Sequence, residues 1–203
     1  MRLFVVGATG RTGQLVVEQA IKRAHMVTVI VRKTGAVPAH DNLRIVIGDP
    51  LRIDDLTPHL AGHDVVISCL GQRSRMDNTL LRDGTTAMLE AMHRSGVHRY
   101  LVVSQGLLYP SRSPIIWLLR KILARHVADS TAMEELVTAS NVDWTIVRPP
   151  RLRNGGALRG YRLQVGARPS GAQSMQRADL AVCLVDEAEN AEYIQTVVGV
   201  TSL

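Results

Sequence analysis

An apolar run that ends on glycine, with two more glycines at steps of three, constrains this chain more than any other feature. The stretch reads Leu3-Phe4-Val5-Val6-Gly7-Ala8-Thr9-Gly10-Arg11-Thr12-Gly13. Behind it Val16, Val17, Ala20, Ile21 and Ala24 recur at helix spacing. A second apolar run at residues 26–31 completes the pattern of strand, tight turn, helix and strand. That is the opening of a dinucleotide-binding βαβ unit. Gly7 permits a sharp turn out of the strand, Gly10 lets backbone approach a pyrophosphate, and Gly13 lets the helix pack close. The first-turn N–H groups of the helix then face the phosphates, with the positive end of the dipole behind them. The spacing is GxxGxxG and not GxGxxG, so its weight comes from its place between strand and helix. The bland alternative is a glycine-rich turn that binds nothing.

The rest of the chain repeats the alternation. The second strand ends at Val31-Arg32-Lys33. A site selective for NAD carries an acid about 20 residues past the glycines, to hold the ribose 2′-OH. Here Arg32 and Lys33 stand in that neighbourhood and no carboxylate does, which predicts NADP(H); the alternative is a solvated basic strand end. Further strands are expected at 43–47, 64–70 and 98–104, with helices at 54–60 and 79–95, the latter ending on Gly96. This predicts an α/β, Rossmann-type doubly wound parallel sheet, read as a single domain over residues 1–203. Ligands in such sheets lie beyond the carboxyl ends of the strands. Those ends hold Gly7, Arg32, Asp49 with Pro50, Leu70 with Gly71, Gln72 and Arg73, and Ser104 with Gln105.

Beyond the fifth strand, residues 115–125 read as one mostly apolar helix carrying Arg120, Lys121 and Arg125. It could cap a substrate pocket, touch a membrane surface, or serve as core or oligomer contact. A second helix is expected at 129–140 and a sixth strand at 144–147, which ends at Arg148-Pro149-Pro150-Arg151. Residues 154–173, rich in glycine and polar groups, suggest a small C-terminal lobe on the substrate side. A helix at 176–187 and a strand at 193–198 close the pattern.

Composition narrows the partners. The net charge is +6, and lysine occurs only at 22, 33 and 121, so the positive charge is nearly all arginine, suited to bidentate phosphate or carboxylate contacts. The arginines are dispersed and the few aromatics form no stacking series, which argues against nucleic acid. Cys69 and Cys183 lie far apart with no CxxC or His/Cys ligand spacing, so neither a disulfide framework nor a metal site is expected. No apolar run approaches the roughly 20 residues of a membrane-spanning helix. The N-terminus reads as a strand and not as a signal peptide, so the expected setting is cytoplasmic, as monomer or weak homodimer.

Several motifs fall in order along the chain: Gly7-Ala8-Thr9-Gly10-Arg11-Thr12-Gly13, Val29-Ile30-Val31-Arg32, Gly48-Asp49, Ser104, Asp143-Trp144-Thr145-Ile146-Val147-Arg148-Pro149-Pro150, and Arg177-Ala178-Asp179-Leu180-Ala181. The chain resembles the atypical short-chain dehydrogenase/reductase group that includes NmrA-like proteins and biliverdin reductase B-like flavin reductases. The resemblance implies a Rossmann-type fold that binds NADP. It implies that Thr9, Gly10, Arg11 and Thr12 hold the pyrophosphate, Arg32 the 2′-phosphate and Asp49 the adenine side. Gly71, Gln72 and Arg73 would line the ribose and nicotinamide, with Ser104, Gln105 and Pro149 at the nicotinamide border. Two departures from the flavin reductase pattern bear on substrate: Ser104-Gln105 replaces two hydroxyl residues, and Arg151 replaces a histidine after the paired prolines.

None of the four tyrosines has a lysine four residues on, so the Tyr-x-x-x-Lys proton-transfer pair of the larger short-chain dehydrogenases is absent. Ser104 does not sit in a G-x-S-x-G elbow, and there is no HExxH. Two functions remain. One is an NADPH-dependent reductase that passes hydride to a conjugated acceptor: a flavin, a quinone or a tetrapyrrole such as biliverdin. Ser104, Gln105 and Arg151 are its candidate catalytic residues, with Arg148, Arg151 and Arg153 selecting an anionic acceptor. The other is a non-catalytic NADP(H) sensor of NmrA-like type, docking a partner near Trp117.

Overall fold

A computed structural model of the 203-residue chain describes residues 1–71, 79–155, 160–171 and 173–203. In chain order the elements are β1 (Arg2–Val6), α1 (Arg11–Lys22), β2 (Met26–Val31), β3 (Leu43–Ile47), α2 (Ile53–Leu60), β4 (Val65–Ser68), α3 (Leu80–Ser95) and β5 (Arg99–Val103). They continue with α4 (Pro114–Ile122), α5 (Ala124–Thr138), β6 (Asp143–Arg148), β7 (Arg151–Arg153), β8 (Tyr161–Val165), β9 (Ser174–Gln176), α6 (Arg177–Asn190) and β10 (Thr196–Ser202).

The main sheet runs β3-β2-β1-β4-β5-β6-β10-β8. The order reverses between β1 and β4, which opens a crevice at their carboxyl ends. Every pair from β3 to β10 is parallel, while β8 joins β10 antiparallel. The parallel-sheet expectation is therefore corrected at one edge. β7 and β9, which flank residues 154–173, form a separate parallel pair, while β8 within that stretch belongs to the main sheet.

The sheet is buried on both faces, which is why its strands read as near-continuous apolar runs. One face, with Leu3, Val5, Val29 and Ile67, packs on Val16, Val17 and Ala20 of α1 and on Leu180 and Leu184 of α6. The other, with Phe4, Val66, Tyr100 and Ile146, packs on α2, on Met88 and Met92 of α3, and on Met133 and Val137 of α5.

Three boundaries differ from the sequence reading, each for a visible reason. The expected helix 115–125 breaks at Leu123, and α5 starts at Ala124 instead of at 129. Asp129, where that helix was expected to begin, lies inside α5, is buried and accepts the Leu81 and Arg82 N–H groups, each at 3.0 Å, so it caps α3. The last strand starts at Thr196, because the Glu187 carboxylate takes the Tyr193 N–H at 2.9 Å and Gln195 has φ +51°, holding the segment before it in a turn.

A buried ion pair ties α6 to the sheet. Arg99 on β5 and Glu187 on α6 meet at 2.5 Å, with side chains 9% and 5% exposed. Glu187 also accepts the Thr145 hydroxyl, and Arg99 donates to the Asp143 carbonyl. Removing one partner leaves the other charge buried and uncompensated. Glu187→Ala should lower unfolding stability by about 3–5 kcal/mol in urea titrations, and Arg99→Leu/Glu187→Leu should lose clearly less.

Candidate functional site

The carboxyl edge of the sheet opens into a cavity of about 1150 Å³. That exceeds the roughly 300–1,000 Å³ of common small-molecule pockets and suits a ligand of dinucleotide length. Its floor is the glycine turn. Gly7 has φ +77°, and a Cβ there would lie 2.5 Å from the Cys69 carbonyl oxygen. A Cβ on Gly13 would lie 2.2 Å from the Gly7 carbonyl oxygen, so α1 sits on the end of β1 as only glycine allows. Gly10 has φ −79° and needs no left-handed freedom; its N–H closes the turn on the Gly7 carbonyl at 2.9 Å. The first α1 hydrogen bond is made by Gln14 to Gly10, so the N–H groups of Arg11, Thr12 and Gly13 have no helical carbonyl to meet.

Of the expected cofactor residues, Gly7, Thr9, Gly10, Arg11 and Thr12 line the cavity at one end. Arg32, Asp49 and Pro50 line it under β2 and β3, and Leu70 and Gly71 after β4. Asp49 also shapes its own turn: its carboxylate accepts the Leu51 N–H at 3.0 Å and its N–H donates to Asp55 at 2.8 Å. Arg32 is exposed and makes no ion pair among the described residues. Gln72 and Arg73 lie outside the described residues.

Four expected residues stand off the wall. Gly13 is a packing residue. Lys33 is exposed and does not line the cavity. Pro149 is buried, and its carbonyl holds the Gly106 N–H at 2.8 Å. Arg151 is a correction: it is exposed with Arg153 on β7, and Leu152 between them faces the cavity. Strand alternation does put the two arginines on one side, but on the solvent side. Arg148 is likewise committed elsewhere. Its guanidinium forms a forked pair with the buried Glu134 of α5 and stacks 4.8 Å from the Tyr109 ring centroid.

At the far end, Ser104 and Gln105 do line the cavity. The Ser104 Oγ is buried and has no hydrogen-bond partner among the described residues. A buried unpaired hydroxyl costs free energy unless a ligand meets it. Gln105 donates through Nε2 to the Ser130 hydroxyl at 2.7 Å and to the His126 carbonyl at 3.1 Å, so it fixes α5 against the β5 end.

Sequence reasoning missed Leu123, His126, Ser130, Leu152 and Arg177 on this wall. Arg177, the first residue of α6, donates to Asn154 and sits close enough to Arg11 to feel its charge. Burial first, and that neighbouring cation second, hold its pKa below the ordinary arginine value. Arg11 and Arg177 thus both bring positive charge to the wall of the cavity that holds the glycine turn. The signal was the Arg177-Ala-Asp-Leu-Ala motif itself, whose Asp179 is fully buried and accepts the Ser202 hydroxyl.

The glycine cradle, the two arginines on the cavity wall and the unpartnered Ser104 hydroxyl together fit a bound dinucleotide. A family model described as NAD(P)H-binding matches residues 7–191. The Bacillus subtilis protein YwnB is 24% identical over 207 residues, covering 95% of this chain and 94% of its own. Other relatives are longer, and the chain spans 60% of one from Arabidopsis thaliana and 44% of one from Synechocystis. Among solved structures, a candidate NADH-flavin reductase from Streptococcus pneumoniae aligns over the whole of both chains at TM-score 0.83 and 26% identity. A short-chain dehydrogenase/reductase from Veillonella parvula, in complex with NADP, aligns at TM-score 0.80 and 18% identity over 99% of this chain and 94% of its own.

Cys69 lines the cavity, but burial pushes its thiol up to about 12, and Cys183 is driven in the same direction. Both stay protonated at neutral pH, and only thiolate reacts. A disulfide reagent at pH 8 should label neither thiol of the native protein within minutes and both after denaturation. Rapid labelling of native Cys69 would show that the cavity wall opens.

Proposed function

The chain belongs to the NAD(P)H-binding family, and from that premise we propose that it is an NADPH-dependent reductase acting on a conjugated acceptor such as a flavin, a quinone or a tetrapyrrole. The observation that carries this reading is the far half of the cavity. It continues past the glycine turn to the unpartnered Ser104 hydroxyl, walled by Leu123, His126 and Leu152. A nucleotide-binding turn alone would not need that space.

The bound cofactor would supply hydride. The remaining work falls to the chain. Arg11 and Arg177 neutralise the pyrophosphate, aided by the first N–H groups of α1. Arg32 reaches the ribose 2′-phosphate. Ser104 Oγ donates a hydrogen bond to the nicotinamide amide or the acceptor, and Leu123 and Leu152 hold an apolar ring face against it. None of the four tyrosines lines the cavity. Conjugated acceptors are intrinsically reactive towards hydride, so proximity and orientation serve in place of an acid–base tyrosine. The likeness to a Streptococcus pneumoniae NADH-flavin reductase candidate supports the acceptor class.

A second reading, a non-catalytic NADP(H) sensor, is favoured by the exposed apolar side chains of α4. NADPH oxidation measured against flavins, quinones and biliverdin separates the two; no turnover with any acceptor leaves the sensor.

Arg32→Asp should reverse the cofactor preference. One charge-assisted contact contributes roughly 1.5–3 kcal/mol, so NADPH affinity should fall about 10- to 100-fold while NADH affinity holds or rises. Fluorescence titration with both cofactors checks it, and equal losses would remove Arg32 from the 2′-phosphate. Ser104→Ala should lower kcat/KM with NADPH affinity nearly unchanged. An unchanged rate with every accepted acceptor would exclude the hydroxyl from the reaction.

A further inference from the structure

The outer face of α4 carries an apolar stripe that the described fold leaves uncovered. Ile115, Leu118, Leu119 and Ile122 stand at i, i+3, i+4 and i+7 and are 71%, 53%, 38% and 61% exposed. Trp117 beside them is 57% exposed. None of the nine residues of α4 is buried. The orientation is fixed by the opposite face, where the partly buried Arg120 donates to the carbonyls of Leu107 and Tyr109. The half-buried side of the helix is thus Ile116 and Arg120, while Ile115, Trp117, Leu118, Leu119 and Ile122 are exposed together with Lys121. Contiguous exposed apolar patches mark a partner or a membrane.

The charge around the stripe selects among occupants. Lys121 lies over the Trp117 ring at 4.0 Å, and Arg112 and Arg125 are exposed at the two ends. There is no acidic residue between Glu90 and Asp129. Asp129 itself is buried as the cap of α3, and Asp83 on that helix pairs with Arg82 at 2.9 Å. A second copy of the chain, packed face to face by two-fold symmetry, would set this ring of cations against itself. An anionic surface complements it. No described helix is long and apolar enough to cross a membrane, and α4 has the composition of a helix lying in the interface plane: exposed aliphatics and tryptophan, with Lys121 between Trp117 and Leu118 and an exposed arginine near each end.

We propose that α4 docks the protein onto an anionic lipid surface, with Ile115, Trp117, Leu118 and Ile122 entering the headgroup–acyl boundary and Arg112, Lys121 and Arg125 meeting lipid phosphates. This does not depend on the reductase reading. It places Leu123, a wall residue of the cavity, directly after the docked helix.

The test is sedimentation of the full chain with vesicles of phosphatidylcholine alone and with added phosphatidylglycerol. Binding should require the anionic lipid and weaken in high salt. Emission of Trp117 should shift to shorter wavelength on binding, read in a Trp144→Phe background. Lys121→Glu should lower vesicle affinity about 5-fold or more. Leu118→Glu/Ile122→Glu should abolish binding while NADPH binding persists, showing that the fold is intact. No sedimentation with anionic vesicles overturns the proposal. Concentration-dependent dimerisation lost in Leu118→Glu/Ile122→Glu, without vesicle binding, assigns the face to a second copy. Retention on polyglutamate without vesicle binding assigns it to an acidic protein.

Discussion

The close seating of α1 on the end of β1 is the constraint on which the rest of the carboxyl edge depends. The Gly13 backbone lies so near the Gly7 carbonyl that a side chain would stand at 2.2 Å from it. That approach brings the first N–H groups of α1 to the crevice between β1 and β4, where the strand order reverses. Every other contributor is placed relative to it: Arg32 one strand to one side, Leu70 and Ser104 one and two strands to the other. The left-handed Gly7 serves the same end, since its turn runs against the Cys69 carbonyl. A Cβ at either position would force the helix away from the strand and move the N–H groups of its first turn with it.

The near half of the cavity was legible in the sequence for this reason. Glycines at fixed steps after an apolar run dictate a local geometry, and strand ends in a parallel sheet share one side. Arg32, Asp49 and Gly71 follow from those two rules, and Thr9 and Arg11 from the motif resemblance. Lys33 fails for an equally local reason. β2 ends at Val31 and the chain bends at Arg32 and Lys33, and of the two only Arg32 lines the cavity.

Of the far half only Ser104 and Gln105, at a strand end, were legible, because the rest is assembled from contacts distant in the chain. His126 and Ser130 come from α5, Leu152 from β7 and Arg177 from α6. What fixes them is polar pairing across those elements. Gln105 ties the end of β5 to His126 and Ser130, Arg148 ties β6 to Glu134, and Asn154 meets Arg177. Arg148 shows how this misleads a sequence reading. A cluster of three arginines after a strand reads as one basic patch. The buried carboxylate of Glu134 withdraws Arg148 from it, and the β7 ladder turns Arg151 and Arg153 to solvent.

The same limit explains α4. Apolar residues at helical spacing fix the phase of a helix, but not which side of it meets the protein. In most helices that second question is answered by default, because the apolar face is drawn to the core. Here polar contacts answer it. Arg120 finds two backbone carbonyls, at Leu107 and Tyr109, that would otherwise end the segment after β5 without donors. Charge-assisted bonds of that kind contribute about 1.5–3 kcal/mol each. That is comparable to burying one leucine or isoleucine side chain, so two of them can hold the helix with its aliphatic stripe outward. The exposed stripe is thus built into the local bonding of the chain and is not a by-product of loose packing, and the cations beside it determine what it can meet.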